Sequence, residues 1–446
     1  GHLNLGAGRI VRTDKCRIDD AIGSEEFFEN RVLVDAMQNA VRRGSSVHFA
    51  GLLSDAGIHS SAEHLFALLR LAKRLDLPEV YVHCFLDGRD VPVKTADIYV
   101  EALEVKMDEI GIGRIATLCG RHFAMDSEGS WDRTARAYTM MVHAEGEGVP
   151  EPKKAIRDAF VRGYSDEFVR PIIVENETGG PVGPVRDGDV VIFFNHRGDS
   201  LRQLADSLAA SGDAGAFAFS KPRIEIVFMT EYDDLLNALV AFPSQPIQNS
   251  LVEVLAENDR PSFRITETER VAHLGDFFGQ SVHNEMSNSD IVHSVDSTQR
   301  ASKPEMSSFK LADRLIGRLD SDNNGFYVIN LPAPALMAES GDLEKTVEAV
   351  QFVDTCLGGI LDKIREKNGV AIVTASHAGC EEMRQRSSGG QTYRASPNPV
   401  PFHLFDSDGK FRNLRSGGAI EDVAPTILGI LGLGKPSEMT GNDLRV

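Results

Sequence analysis

Five times in the first half of the chain, a short apolar run of β-branched and aromatic residues ends abruptly in polar or charged ones. Val47 to Leu53 gives way to SDAGIHSS, Val80 to Leu86 to DGRDVP, and Ile115 to Cys119 to GRHFAMD. Val190 to Phe194 is followed by NHRGDSLRQ, and Ile224 to Met229 by TEYDD. Such runs, with no polar face, predict strands covered on both sides, as in a parallel sheet. Helical patterns separate them. Ser60 and Glu63 have capping-box spacing, and Leu65, Phe66, Leu68, Leu69, Ala72 and Leu75 follow at intervals of three and four. Alternating strands and helices make an open α/β sheet, in which ligands bind beyond the carboxyl ends of the strands.

From about Pro243 the texture changes. The stretch AFPSQPIQNS reads as a connection between domains. Strands resume at Phe326 to Ile329, Ala371 to Thr374 and Val400 to Phe405, and AIEDVAPTILGILGL reads as a closing helix capped by glycine. A second α/β unit is expected here. No internal repeat or low-complexity tract interrupts either half.

At 446 residues the chain exceeds what one hydrophobic core usually serves, which also favours two domains. An apolar content of 42% with 25% charged residues excludes a disordered chain. A formal charge of −19 argues against nucleic acid and anionic membrane as partners, because the long-range field repels phosphates. Any anionic ligand would need a local basic pocket. Cys16, Cys84, Cys119, Cys356 and Cys380 are odd in number and widely spaced, which fits reduced thiols in the cytoplasm better than disulfides or a zinc cluster. No apolar run reaches membrane length, and neither a signal peptide nor a membrane span is expected. The opening GHLNLGAGRIV, without Met, reads as a cut inside something longer.

The polar strand ends supply the candidate chemistry. Asp55, His59, Asp87, Arg89, Asp90, Arg121, Asp126, Arg197 and Arg202 all follow predicted strands and should share one edge of the sheet. Several guanidinium forks in an acidic protein match a ligand bearing phosphate and carboxylate. His59 is placed to hold a phosphoryl group or move a proton. Each residue taken alone is an ordinary solvated loop residue, and only the convergence points to a site. No GxGxxG or GxxxxGK[ST] supports nucleotide cradling by a glycine-rich loop.

The stretches GHLNLGAGRIV, GLLSDAGIHSS, CFLDGRDVP, GRHFAMDSEGSWDR, DGDVVIFFNHRGDSLRQ, ITETERVAHL, PEMS, NPVPF and DVAPTILGILGL occur in one order along the whole chain. In these the chain resembles the cofactor-independent phosphoglycerate mutase family. The resemblance implies an alkaline-phosphatase-like α/β domain, incomplete at its N-terminus, with an inserted α/β substrate-binding domain. Residues 1–12 and 245–446 would belong to the phosphatase-like metal domain and 13–244 to the insert. It further implies an isomerase of glycolysis that interconverts 2- and 3-phosphoglycerate through a phosphoserine and two Mn²⁺ or Mg²⁺ ions, as a monomer.

By the same resemblance His59, Arg89, Asp90, Arg121, Arg197 and Arg270 match substrate-binding positions, Arg270 standing in place of a lysine. Ser127 and Ser200 stand where the family has arginine. The nucleophilic Ser and a neighbouring Glu would precede the first residue of this chain. Among the metal positions, Ala335, Glu339, Ser376 and Ala395 replace family ligands, and His377 alone is unaltered. One imidazole with one carboxylate falls short of what a hard divalent ion requires.

Ser376 and His377, in the stretch GVAIVTASHAG, are expected on opposite faces of a strand and therefore unable to bond as nucleophile and base. Cys380 has no neighbour that would activate it. The cluster EYDD at 231–234 reads as a solvated face, and Asp320, Asp322 and Glu339 have no ligand spacing. Three functions remain open: the mutase, an inactive relative that binds phosphoglycerate or a partner protein, and a metal-dependent hydrolase of phosphate or sulfate esters.

Overall fold

Strands β1 (Val47–Leu53) and β2 (Val80–Leu86) are buried at all seven of their positions, as their unbroken apolar runs require. The computed structural model describes the chain except for residues 128, 210–220, 233–237, 246, 261, 272–273, 275–287, 296, 322–324, 339, 384–395 and 412. Contacts divide it into a larger unit, Arg12–Gln245, and a smaller one made of Gly1–Val11 and Pro246–Val446.

The larger unit is built on one sheet. To β1 and β2 it adds β3 (Arg114–Gly120), β4 (Glu147–Val149), β5 (Ile172–Val174), β6 (Val190–Phe193), β7 (Glu225–Phe228) and β8 (Leu239–Val240), in the order β4-β5-β3-β2-β1-β6-β7-β8. All neighbours are parallel except β3 and β5. The chain starts at β1, moves outward through β2 and β3, then returns to place β6 on β1's other side. The reversal between β1 and β6 is the switch point where loops diverge and leave a crevice.

Each face of this sheet carries its own core, since alternate residues of a strand point opposite ways. Val47, Phe49 and Leu53 pack with helices Arg31–Arg43 and Ala62–Arg74; Ala50 and Leu52 pack on the other face with Trp131–His143 and Arg202–Leu208.

A polar chain crosses the sheet inside it. Ser46 and Arg186 N–H groups bond Asp189 at 2.9 and 2.7 Å, and His48 Nε2 donates to the same carboxylate at 3.1 Å. With its Nε2 proton so committed, His48 accepts at Nδ1 from His83 Nε2 at 2.9 Å. His83 Nδ1 in turn accepts from the Thr117 hydroxyl at 2.8 Å. Burial, first of all, holds the His83 pKa well below its ordinary value, so that ring is a neutral donor and acceptor in the series.

One expectation for a helix boundary is corrected. Helix Ala62–Arg74 has Ser61 as N-cap without a side-chain bond, so Ser60 and Glu63 form no capping box. The Ser60 hydroxyl instead donates to the Leu52 carbonyl at 2.5 Å and ties the loop after β1 back to its strand. A full capping box does form at Ser250 and Glu253, at the end of the presumed linker, where helix Leu251–Glu257 begins.

In the smaller unit β9 (Ser262–Glu267) lies between β10 (Ser289–Val292) and β11 (Phe326–Ile329), all parallel. Strands β12 (Val370–Thr374) and β13 (Phe402–Asp406) form a separate antiparallel pair. Their side chains are only partly covered, unlike those of β1 and β2. The closing helix is Val423–Leu431, ended by Gly432 in the left-handed conformation at φ 71°. No helix among the described residues is long and apolar enough to cross a membrane.

Candidate functional site

Arg121 anchors the switch-point crevice. It follows Gly120, the last residue of β3, and its side chain is only 6% exposed. Its Nη1 donates to Asp87 at 2.7 Å and to Asp90 at 2.6 Å, both in the loop after β2. Asp87 is itself fixed, because its other oxygen accepts from Ser54 at 2.7 Å and Oδ1 also accepts the backbone N–H groups of Arg89 and Asp90. This turn needs a glycine at position 88: φ is +70°, and a Cβ there would lie 2.8 Å from the Asp166 side chain.

Burial alone would raise the Asp87 pKa, but bonds from the Asp90 N–H, Ser54 and Arg121 outweigh it and set the pKa below the ordinary carboxylate value. The sign of the linkage follows. Asp87 contributes stability in full above its unfolded pKa of about 3.9 and loses it as pH falls through the lower folded value. Urea unfolding from pH 6 to pH 2 should therefore show a steeper acid loss for the native chain than for Asp87→Asn, which lacks that titration.

His59, in the loop after β1, is 8% exposed. Its Nε2 stands 3.9 Å from Asp90, and its Nδ1 stands 3.6 Å from Asp199, too long for a hydrogen bond. That Nδ1 has no hydrogen-bond partner among the described residues. Burial first, then the Arg121 charge, lowers the His59 pKa against the opposing pull of Asp199, so the ring is neutral at pH 7. The loop is held by the next strand over: the His196 and Arg197 N–H groups both donate to the His59 carbonyl, at 2.9 and 3.2 Å, and Asn195 Oδ1 accepts from Leu52 N–H at 2.9 Å.

The other two arginines are on the surface. Arg89, 62% exposed, bonds Glu167 at 2.8 Å; Arg197, 55% exposed, bonds Asp199 at 2.6 Å. Every arginine of the cluster thus has an acidic partner, and the two outer pairs are of the weak, exchangeable kind. Glu167 and Asp199 escaped the reading of the sequence, although Asp199 lies within the NHRGDS stretch. No periodicity distinguishes them from loop acids.

Not every strand-end residue joins. Asp55 accepts from the Tyr99 hydroxyl at 2.6 Å, and Asp126 accepts from the Ser130 N–H at 2.8 Å and Arg133 at 3.0 Å. Arg202 opens helix Arg202–Leu208. Ser127 is exposed, while Ser200 donates its N–H to Asp199 at 2.9 Å. Arg270, in the smaller unit, ends a 3-10 turn that follows β9.

Within the smaller unit, one expectation is overturned. Ser376 Oγ and His377 Nδ1 lie at 2.9 Å, within hydrogen-bond reach. The strand ends at Thr374, so the alternation of faces stops before the pair. His377 is exposed, and its ring meets His2 edge-on with centroids 6.1 Å apart. Ala335 lies on helix Ala333–Ala338; Glu339, Ala395 and Asp322 lie outside the described residues, as does half of the EYDD cluster. The donors described at the ligand positions are one imidazole and one hydroxyl, with a methyl at Ala335. No group of three or more metal-type side chains occurs among the described residues. That set does not fit Mn²⁺ or Mg²⁺. Cys380 bonds the Pro334 carbonyl at 3.5 Å, and burial, with Glu381, pushes its thiol pKa up, which keeps it a thiol.

Comparison with known proteins is decisive on ancestry. The chain is 43% identical over 452 residues to the 2,3-bisphosphoglycerate-independent phosphoglycerate mutase of Moorella thermoacetica, covering 100% of this chain and 86% of that protein. It belongs to that family. The enzyme of the same name from Clostridium novyi is 39% identical over 449 residues, with 87% of its length covered. Residues 18–234 match the family model described as the BPG-independent PGAM N-terminus. A crystal structure of Leishmania mexicana phosphoglycerate mutase, determined at low cobalt concentration, superimposes with a TM-score of 0.78 at 26% identity, covering 100% of this chain and 86% of that one. The family thus accounts for the α/β architecture.

Proposed function

We propose that this chain binds phosphoglycerate in the switch-point crevice, the ligand of the interconversion of 2- and 3-phosphoglycerate for which its relatives are named. The observation that carries this reading is the Arg121–Asp87–Asp90–His59 constellation, in which one guanidinium is locked while two others hang on exchangeable partners. Both carboxylate bonds to Arg121 come from Nη1, so its remaining N–H groups are available to an oxyanion. Arg89 and Arg197 leave Glu167 and Asp199 for the phosphate and carboxylate of the ligand, since a bidentate charged contact with a dianion exceeds an exposed ion pair. Neutral His59, with Nδ1 unpartnered, bonds a glycerate hydroxyl.

Turnover is a separate matter, and we propose that the chain performs little. Divalent ions, where bound, supply the charge neutralisation that phosphoryl transfer requires. Ala335, Ser376 and His377 do not form a cage for them. The 43% identity to a named mutase across the whole chain favours the second reading, an active isomerase.

Two measurements decide. Titration calorimetry of 3-phosphoglycerate should show binding that falls by at least about tenfold in Arg89→Ala and in Arg197→Ala, with melting temperature little changed because both guanidinium groups are exposed. Undiminished affinity in both variants rejects the crevice. A coupled assay with Mn²⁺ that reached about 10 s⁻¹, an ordinary enzymatic rate, would establish the isomerase instead.

A further inference from the structure

A second concavity of about 480 Å³ opens on the larger unit, between the turn Arg121–Ala124, helix Trp131–His143 and segment 163–170. Its size is that of a small-molecule site. None of His59, Asp87, Asp90, Arg121 or Arg197 lines it. Although His122 directly follows Arg121, its ring faces this cavity, 5.1 Å from the rings of both Phe123 and Phe168.

The lining has two chemical parts. Lys94, Arg136 and Arg170 supply positive charge, and no Asp or Glu is among the lining residues. In contrast to the arginines of the phosphoglycerate crevice, Arg136 and Arg170 pair with no carboxylate among the described residues. They are held by aromatic faces instead, Arg136 over Phe123 at 5.9 Å and Arg170 over Tyr164 at 5.5 Å. A cation–π contact fixes the guanidinium while leaving its N–H donors free for an anion. The Lys94 ammonium makes one long bond, 3.4 Å to the Phe160 carbonyl. The second part is flat. Phe168 is 41% exposed, and the His122 ring beside it is kept neutral by burial, then by the Arg133 charge, so both offer faces for stacking.

In a chain of net charge −19, this pocket is lined by three cations and no carboxylate, so an anion seated among them is attracted by all three. We propose that this pocket binds a nucleoside phosphate, its phosphates on Arg136, Arg170 and Lys94 and its base against Phe168 and His122. A nucleoside diphosphate carries about three negative charges at neutral pH, which matches the three cations. Its lining shares no residue with the phosphoglycerate crevice.

The test is calorimetry of the whole chain with ADP, pyrophosphate and adenosine at low ionic strength. ADP should bind, with pyrophosphate and adenosine each weaker by at least about tenfold. The double variant Arg136→Gln, Arg170→Gln should weaken ADP by a similar factor and leave both melting temperature and 3-phosphoglycerate affinity unchanged. Absence of ADP binding at about 2 mM overturns the proposal, being weaker than the usual range for cellular ligands. So does an affinity for pyrophosphate equal to that for ADP, an undiminished affinity in the double variant, or displacement of ADP by 3-phosphoglycerate.

Discussion

Arg121→Ala is expected to lower the free energy of unfolding by about 3 kcal/mol, the lower end of what breaking a buried ion pair costs. The loss exceeds that of a surface pair because the variant leaves two carboxylates behind. Asp87 is 1% exposed in its side chain and Asp90 15%, so neither recovers full hydration. Asp87 would then keep the Ser54 hydroxyl and the Arg89 and Asp90 N–H groups as its partners. Phosphoglycerate binding should vanish in calorimetry at the same time, since the fixed donor is gone and two anions face the ligand. Chemical denaturation gives the first quantity. A loss under about 1 kcal/mol would mean that the pair is solvated after all. Arg121→Lys separates charge from shape: it should recover part of the stability but little of the affinity, because an ammonium cannot serve two carboxylates and an oxyanion in one plane.

The second large effect is expected one residue earlier. A Cβ on Gly120 would lie 2.1 Å from the carbonyl oxygen of Glu167 and 2.7 Å from that of Asp166. These are backbone atoms, which cannot step aside as a flexible side chain does. The Gly120 N–H also donates to the Val169 carbonyl at 2.8 Å, so the two segments cannot separate without losing that bond. Gly120→Ala should therefore cost about 3 kcal/mol by overpacking, and move the start of the Arg121 turn. Thermal unfolding and a 3-phosphoglycerate titration of the same variant check both parts. Unchanged melting with unchanged affinity would show that the 163–170 segment yields to a methyl group.

Much of the larger unit was legible because its central strands bury both faces. Val47–Leu53 and Val80–Leu86 carry their own boundaries in an uninterrupted apolar run, and the loops that follow them bear the site. Strands β4, β5 and β8 were not, since runs of two or three residues leave no periodicity to read. The antiparallel pairing of β3 with β5 was hidden for the same reason. Polar spacing proved less reliable than apolar spacing. Ser60 and Glu63 have the interval of a cap, yet the serine bonds its own strand, whereas Ser250 and Glu253 cap a helix at the end of a Pro-rich stretch. Local sequence offers a hydroxyl several partners, and only the folded neighbourhood selects among them.

The pattern of strand ends brought His59, Asp87, Asp90, Arg121 and Arg197 into one crevice without indicating that Asp199 and Glu167 would meet the arginines there. Ion pairs between loops follow from how those loops are laid side by side, which no spacing along the chain encodes. Ser376 and His377 show the opposite failure, a strand rule carried two residues past the strand. Had the end of β12 been placed at Thr374, their contact at 2.9 Å would have been permitted from the outset.

The row of side chains from Asp189 through His48 and His83 to Thr117 also acts on how the sheet assembles. If β2 slipped by one position along β1, His83 would turn to the opposite face, leaving His48 Nδ1 without its partner. Greasy strands made only of Val, Leu and Phe tolerate many alignments with small differences in energy. This one is keyed, and each wrong alignment carries an orphaned buried dipole as its penalty.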